Sequence, residues 1–125
     1  MEYISTRNSQ KNFSFKNVFL RGLAPDGGLF VPKKIPSFTL QELEKFKNLS
    51  YEELAVKIIL KFCEDEFNEK DVKDLVKSSY KNFRVNDVVK VKKIGKLNLL
   101  ELFHGPTLAF KDIAMQVIGN MYEKI

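Results

Sequence analysis

The sequence predicts a mostly helical α+β unit over residues 1–84, followed by the strand, loop and helix that open an α/β domain over residues 85–125. Three observations predict this. Apolar residues recur at helical spacing between Phe15 and Phe83, with good cap residues placed before several of the runs. After Phe83 the texture changes to two short apolar runs, Val88–Val91 and Leu97–Phe103. A His-Gly-Pro-Thr break at 104–107 then leads into one last helical pattern, and no returning parallel strand follows it in the 125 residues. That is half of a βαβ unit, the pattern expected of a truncated piece.

Tyr3 to Thr6 alternates like a short strand. Phe15, Val18, Phe19 and Leu23 recur as one helix face. Pro25-Asp26-Gly27-Gly28 stops that helix and turns the chain into Leu29-Phe30-Val31, because Pro25 presets a turn and both glycines tolerate positive φ. Pro32 and Pro36 flank an exposed connection carrying Lys33 and Lys34. Thr39 caps a short helix with Leu40, Leu43 and Phe46. Ser50 and Glu53 form a capping box for the next helix, whose expected buried stripe is Leu54, Ala55, Ile58, Ile59 and Phe62. Asn68 opens a helix with Val72, Leu75, Val76 and Phe83 facing one way. The strand at 97–103 is apolar enough to be largely buried. The final helix carries Ala114, Val117, Ile118, Met121, Tyr122 and Ile125 on one face.

Composition excludes several classes. At 44% hydrophobic and 30% charged residues, the chain is neither disordered nor membrane-embedded in character. Its longest uncharged runs are too short to span a bilayer, and its first residues lack the apolar run of an export signal. One cysteine, Cys63, and one histidine, His104, exclude a disulfide framework and a Cys/His zinc site, and point to the cytoplasm. The net charge of +5 is interspersed with acids along the helices, which describes solvated faces and not a nucleic-acid surface.

Chemistry has few places to reside. No G-x-S-x-G accompanies His104, and neither GxGxxG nor GxxxxGK[ST] occurs. Residues 102–112 are different, because they follow a strand at the end where open α/β sheets hold ligands. Lys111 falls in the first turn of the last helix, where the positive end of the helix dipole opposes its charge. Phe103, Leu108 and Phe110 would desolvate it further. Both effects favour the neutral amine, which attacks aldehydes. The plainer alternative is a solvated lysine paired with Asp112 or Glu101. Likewise, His104-Gly105-Pro106-Thr107 reads equally as a turn in which Thr107 caps a helix. Cys63 reads as a small apolar packing residue.

Two long blocks then carry a family resemblance. Leu99 to Asp112, LLELFHGPTLAFKD, resembles the lysine segment of threonine synthases, pyridoxal-phosphate enzymes of the tryptophan-synthase-β-like fold. Tyr3 to Arg7 together with Gly22 to Pro32, GLAPDGGLFVP, resembles the same family's amino-terminal domain, as does Leu49 to Ala55. Asn8 departs from the glycine that many relatives carry there.

The resemblance implies an α/β parent enzyme, with 1–84 as its amino-terminal domain and 85–125 as the start of its catalytic domain. It implies conversion of O-phospho-L-homoserine and water to L-threonine and phosphate. Lys111 would hold pyridoxal 5′-phosphate as a Schiff base and shuttle protons, Asp112 would orient the helix start, and Thr107 would face the substrate. The fragment alone would be inactive, because the phosphate cup and the partner of the pyridine nitrogen lie outside it. A threonine-synthase-like phospho-lyase and a non-catalytic interaction module are the alternatives.

Overall fold

A computed structural model describes all 125 residues. Strand β1, Tyr3–Ser5, pairs antiparallel with β2, Phe30–Pro32, with Ile4 opposite Val31. Between them lies helix α1, Phe15–Arg21, whose cap Ser14 accepts a hydrogen bond from the Asn17 N–H. Gly22 ends that helix before Leu23, which is left exposed outside the helix face assigned to it. At the following turn only Gly27 takes a positive φ, +77°. Gly28 is required for a different reason: a Cβ there would overlap the Ser5 hydroxyl.

Three helices follow, α2 (Leu40–Phe46), α3 (Tyr51–Cys63) and α4 (Glu69–Tyr80), and each opens on a complete capping box. The pairs are Thr39 with Glu42, Ser50 with Glu53, and Asn68 with Asp71. In each, the cap side chain takes one orphan amide of the first turn while the acid reaches back to the cap's own N–H. The serine and threonine hydroxyls also donate to their carboxylates, and these backbone and side-chain bonds hold Glu42 and Glu53 below the usual carboxylate range.

The core is built by α4. Val72, Leu75 and Val76 are fully buried, joined by Val56, Cys63, Phe67 and Tyr80. Val88, Val117 and Met121 complete the same cluster, so residues beyond 84 share the core of those before it. Helix α3 keeps Ala55 and Ile59 of the expected stripe against the core but is rotated so that Val56, Leu60 and Cys63 join them. Val56 and Cys63 are buried, with Ala55, Ile59 and Leu60 beside them, whereas Ile58 is 39% exposed. The segment 54–63 is apolar on almost every side, so its spacing could not select a face; packing against the single stripe of α4 does.

The last third departs most from expectation. Strands β3 (Lys90–Ile94) and β4 (Leu97–Glu101) form an antiparallel hairpin, with Val91 opposite Leu100 and Ile94 opposite Leu97. The expected burial of β4 is not found: Leu97, Leu99 and Leu100 are all exposed, and the hairpin joins no larger sheet. Val88 lies outside the strand, buried at φ +63°. Helix α5, Asp112–Tyr122, packs on α4 through Val117 and Met121. Ala114 and Tyr122 stay exposed, and the Tyr122 ring rests on Phe19 at 4.5 Å. No helix is long and apolar enough to cross a membrane.

Candidate active site

The chain from Glu101 to Asp112 runs from the end of β4 to the start of α5 and is pinned at both ends. At the first end, His104 Nε2 lies 2.9 Å from Glu101 Oε2, with both side chains mostly buried. The His104 carbonyl accepts from the Arg84 N–H at 2.9 Å, which ties the loop to the end of the helical unit. At the second end, Thr107 donates twice to Asp112, from its N–H at 2.8 Å and from its hydroxyl at 2.7 Å. Asp112 is 3% exposed. Burial pushes its carboxyl up, but the Thr107 bonds and that of Gln116 outweigh this and hold it below the ordinary range.

Between the pins the loop is tight. Gly105 is buried with no room for a Cβ, which would run into the Asp112 side chain. The Leu108 N–H closes a turn on the Gly105 carbonyl at 3.2 Å, and Leu108 itself sits at φ +65°. Thr107 does not cap a helix as expected. Helix α5 begins later, at Asp112, and the direction of the interaction is reversed: the acid receives the threonine.

Lys111 occupies the cap position directly before α5, in helical conformation and without a side-chain cap bond. Its carbonyl accepts from the Ala114 and Met115 N–H groups at 3.1 and 2.9 Å. Its side chain is exposed, and Phe103, Leu108 and Phe110, expected to cover it, are each at least half exposed. The two acids offered to Lys111 by the plain alternative are both engaged elsewhere, Glu101 with His104 and Asp112 with Thr107. An amine at a helix start with no carboxylate partner is thereby presented to the solvent side. The sequence places Asp112 at the helix start, and its burial is not evident there, because a threonine five residues ahead of it reads more commonly as a cap.

The amino-terminal block assembles a second polar knot. Asp26 Oδ1 accepts from the Ser5 hydroxyl at 2.7 Å and the Gly28 N–H at 2.9 Å, and these bonds hold its carboxyl low. Arg7 donates to the Asp26 carbonyl at 3.2 Å, and Thr6 Oγ1 accepts from the Leu29 N–H at 3.0 Å. These bonds fasten β1 to the turn before β2. Cys63 is buried and donates its thiol to the Ile59 carbonyl at 3.3 Å; burial foremost pushes the thiol up to about 12, as suits a packing residue. No group of His, Cys, Asp and Glu is arranged to hold a metal ion.

Comparison with known proteins gives a consistent answer. Residues 2–80 match the family described as threonine synthase N terminus. A threonine synthase of Schizosaccharomyces pombe is 43% identical over 98% of this chain and 24% of its own. PLP-bound threonine synthase from Brucella melitensis superposes with a TM-score of 0.92 at 38% identity, covering 97% of this chain and 26% of that one. Threonine synthase from yeast superposes at 0.91 with 43% identity, covering 98% and 26%. The chain thus spans about a quarter of the length of the relatives it matches. With a family match over more than half of its residues and close structural agreement with the same enzymes, the chain belongs to the threonine synthase family.

Proposed function

We propose that, in a complete threonine synthase, this sequence supplies Lys111 as the amine that holds pyridoxal phosphate, and that the enzyme converts O-phospho-L-homoserine and water to L-threonine and phosphate in the cytoplasm. In this reading residues 1–84 form the amino-terminal domain and 85–125 begin the catalytic one. The observation that carries it is the freedom of the Lys111 amine, exposed at the start of α5 while Glu101 and Asp112 are bonded to other residues. That amine fits a carbonyl-bearing cofactor. The groups that would grip the cofactor's phosphate and ring nitrogen belong to the remaining three-quarters of the enzyme.

When bound, pyridoxal phosphate supplies an electron sink for carbanion charge on the substrate. Lys111 Nζ would hold the cofactor and, as a free amine, would carry protons as general base and acid. The loop pins at His104 and Thr107 would keep the lysine backbone in place. The 125-residue chain alone has no turnover in this account, since it holds only the lysine.

The test is a chimera in which this chain replaces the matching quarter of the Schizosaccharomyces pombe enzyme. Threonine and phosphate release from phosphohomoserine is expected, with borohydride fixing the cofactor to Lys111. Release of a keto acid in place of threonine would indicate a phospho-lyase. Label on a different lysine would refute the assignment of Lys111.

A further inference from the structure

We infer that Asp112 is the positioning residue of Lys111, acting through Thr107; the inference rests on the role proposed for Lys111 above. An aspartate is rarely buried without dedicated partners, and Asp112 is 3% exposed. Two of its partners are donors from one residue, the Thr107 N–H and hydroxyl, at 2.8 and 2.7 Å, and the Gln116 side chain adds a third from within α5. Bonds to an ionised carboxylate are roughly twice as strong as neutral ones. Together the two Thr107 bonds close residues 107–112 into a ring with Lys111 inside it.

Other features mark this ring as enforced. Gly105 approaches Asp112 so closely that a Cβ would collide with its side chain. Leu108 is held at φ +65°, a conformation that non-glycine residues adopt seldom and that persists only where the surroundings impose it. The carboxylate is also aimed backward at the loop, although a first-turn aspartate would ordinarily serve the dipole of its own helix. Lys111 is consequently fixed on both sides, by the clasp before it and by the first amides of α5, which bond to its carbonyl. Its amine is left untouched. The clasp sets where the side chain starts.

The first measurement is amide hydrogen exchange in the 125-residue chain. Asp112→Asn should speed exchange of the Thr107 amide by at least about tenfold while Leu75 and Val76 keep their protection. Thr107→Ser should match the parent, and Thr107→Val should exchange faster. In the chimera, Asp112→Asn should lower kcat by about a hundredfold, the cost of an ångström-scale misplacement, with KM within about twofold and Lys111 still labelled. Thr107→Val should lower kcat in the same way, and Thr107→Ser, which keeps the donating hydroxyl, should recover most of that loss. Unchanged Thr107 exchange in Asp112→Asn would overturn the clasp, and unchanged kcat would overturn the positioning role. Cofactor on another lysine in the unaltered chimera is a failure of the Lys111 assignment and is seen before any variant is made.

Discussion

The Tyr3 hydroxyl donates to the Phe62 carbonyl at 2.6 Å, fastening β1 to the last turn of α3 across 59 residues of sequence. The phenol ring is buried and lies tilted against Phe15, centroids 6.3 Å apart, so one side chain joins the small sheet, α1 and α3. The Phe62 carbonyl lies in the last turn of α3, where carbonyls lack helical partners, and Tyr3 supplies one. Tyr3→Phe keeps the ring and removes the bond. It should lower stability by about 1 kcal/mol in denaturant titration at neutral pH, more if the carbonyl finds no water. An unchanged midpoint would show that the bond contributes nothing.

Alkali should unfold the chain earlier than its charge alone suggests. Burial foremost pushes the Tyr3 phenol up to about 12 and the Cys63 thiol up to about 12, and it raises Tyr80 as well. In each case the folded state favours the protonated form. Their contribution is therefore complete below the unfolded values, 9.0 for the thiol and 10.0 for the phenol, and is lost as pH rises toward 12. Thermal melts should fall steadily above pH 9, and Cys63→Ala should flatten the first part of that fall. A flat profile from pH 8 to 11 would contradict the burial of these groups.

Capping gives a third expectation. Ser50→Ala removes the acceptor for the Glu53 N–H at the start of α3 and should cost about 1 kcal/mol. Ser50→Thr or Ser50→Asp retains an acceptor and should recover most of the loss. If Ser50→Ala melts with the parent, the box seen at this helix start is not holding it.

These sites also show what the sequence makes legible. Capping boxes and the stripe of α4 are local, and both could be read because each depends on residues within a few positions of one another. The inward face of α3 is legible only in part, as Ala55 and Ile59, since 54–63 offers apolar side chains in nearly every direction and only α4 chooses among them. Burial of β4 failed for a related reason. LNLLELF is apolar enough for a covered strand, but coverage depends on elements that would have to pack on it. At the candidate site, the place of Lys111 between a strand and a helix is legible, whereas the role proposed for it rests on the family resemblance. The buried clasp beneath it was not legible, because Thr107 and Asp112 both have commoner uses, as caps and first-turn acids.

The exposed hairpin and the core should respond oppositely to substitution. Leu97 is 73% exposed, so Leu97→Lys should change stability by less than about 0.5 kcal/mol in the 125-residue chain. Leu75→Ala, at a fully buried site, should cost about 2–5 kcal/mol. Comparable losses from the two would mean that the hairpin is packed in solution.

The last expectation concerns Lys111 in the chimera. Its amine is the group at this position able to bond covalently to a carbonyl carbon, and that bond is what borohydride reduces. Lys111→Ala deletes the nucleophile and the proton carrier together, so turnover and labelling of the peptide from Gly105 to Lys124 should both vanish. Stability should barely change, because the side chain is exposed and its neighbouring acids are bonded elsewhere. Lys111→Arg keeps the charge and most of the length but presents a guanidinium that does not deprotonate in proteins, so it should fail as completely. That pairing separates chemistry from electrostatics: an arginine variant that still turned over phosphohomoserine would mean that Lys111 contributes charge and that the covalent amine lies elsewhere.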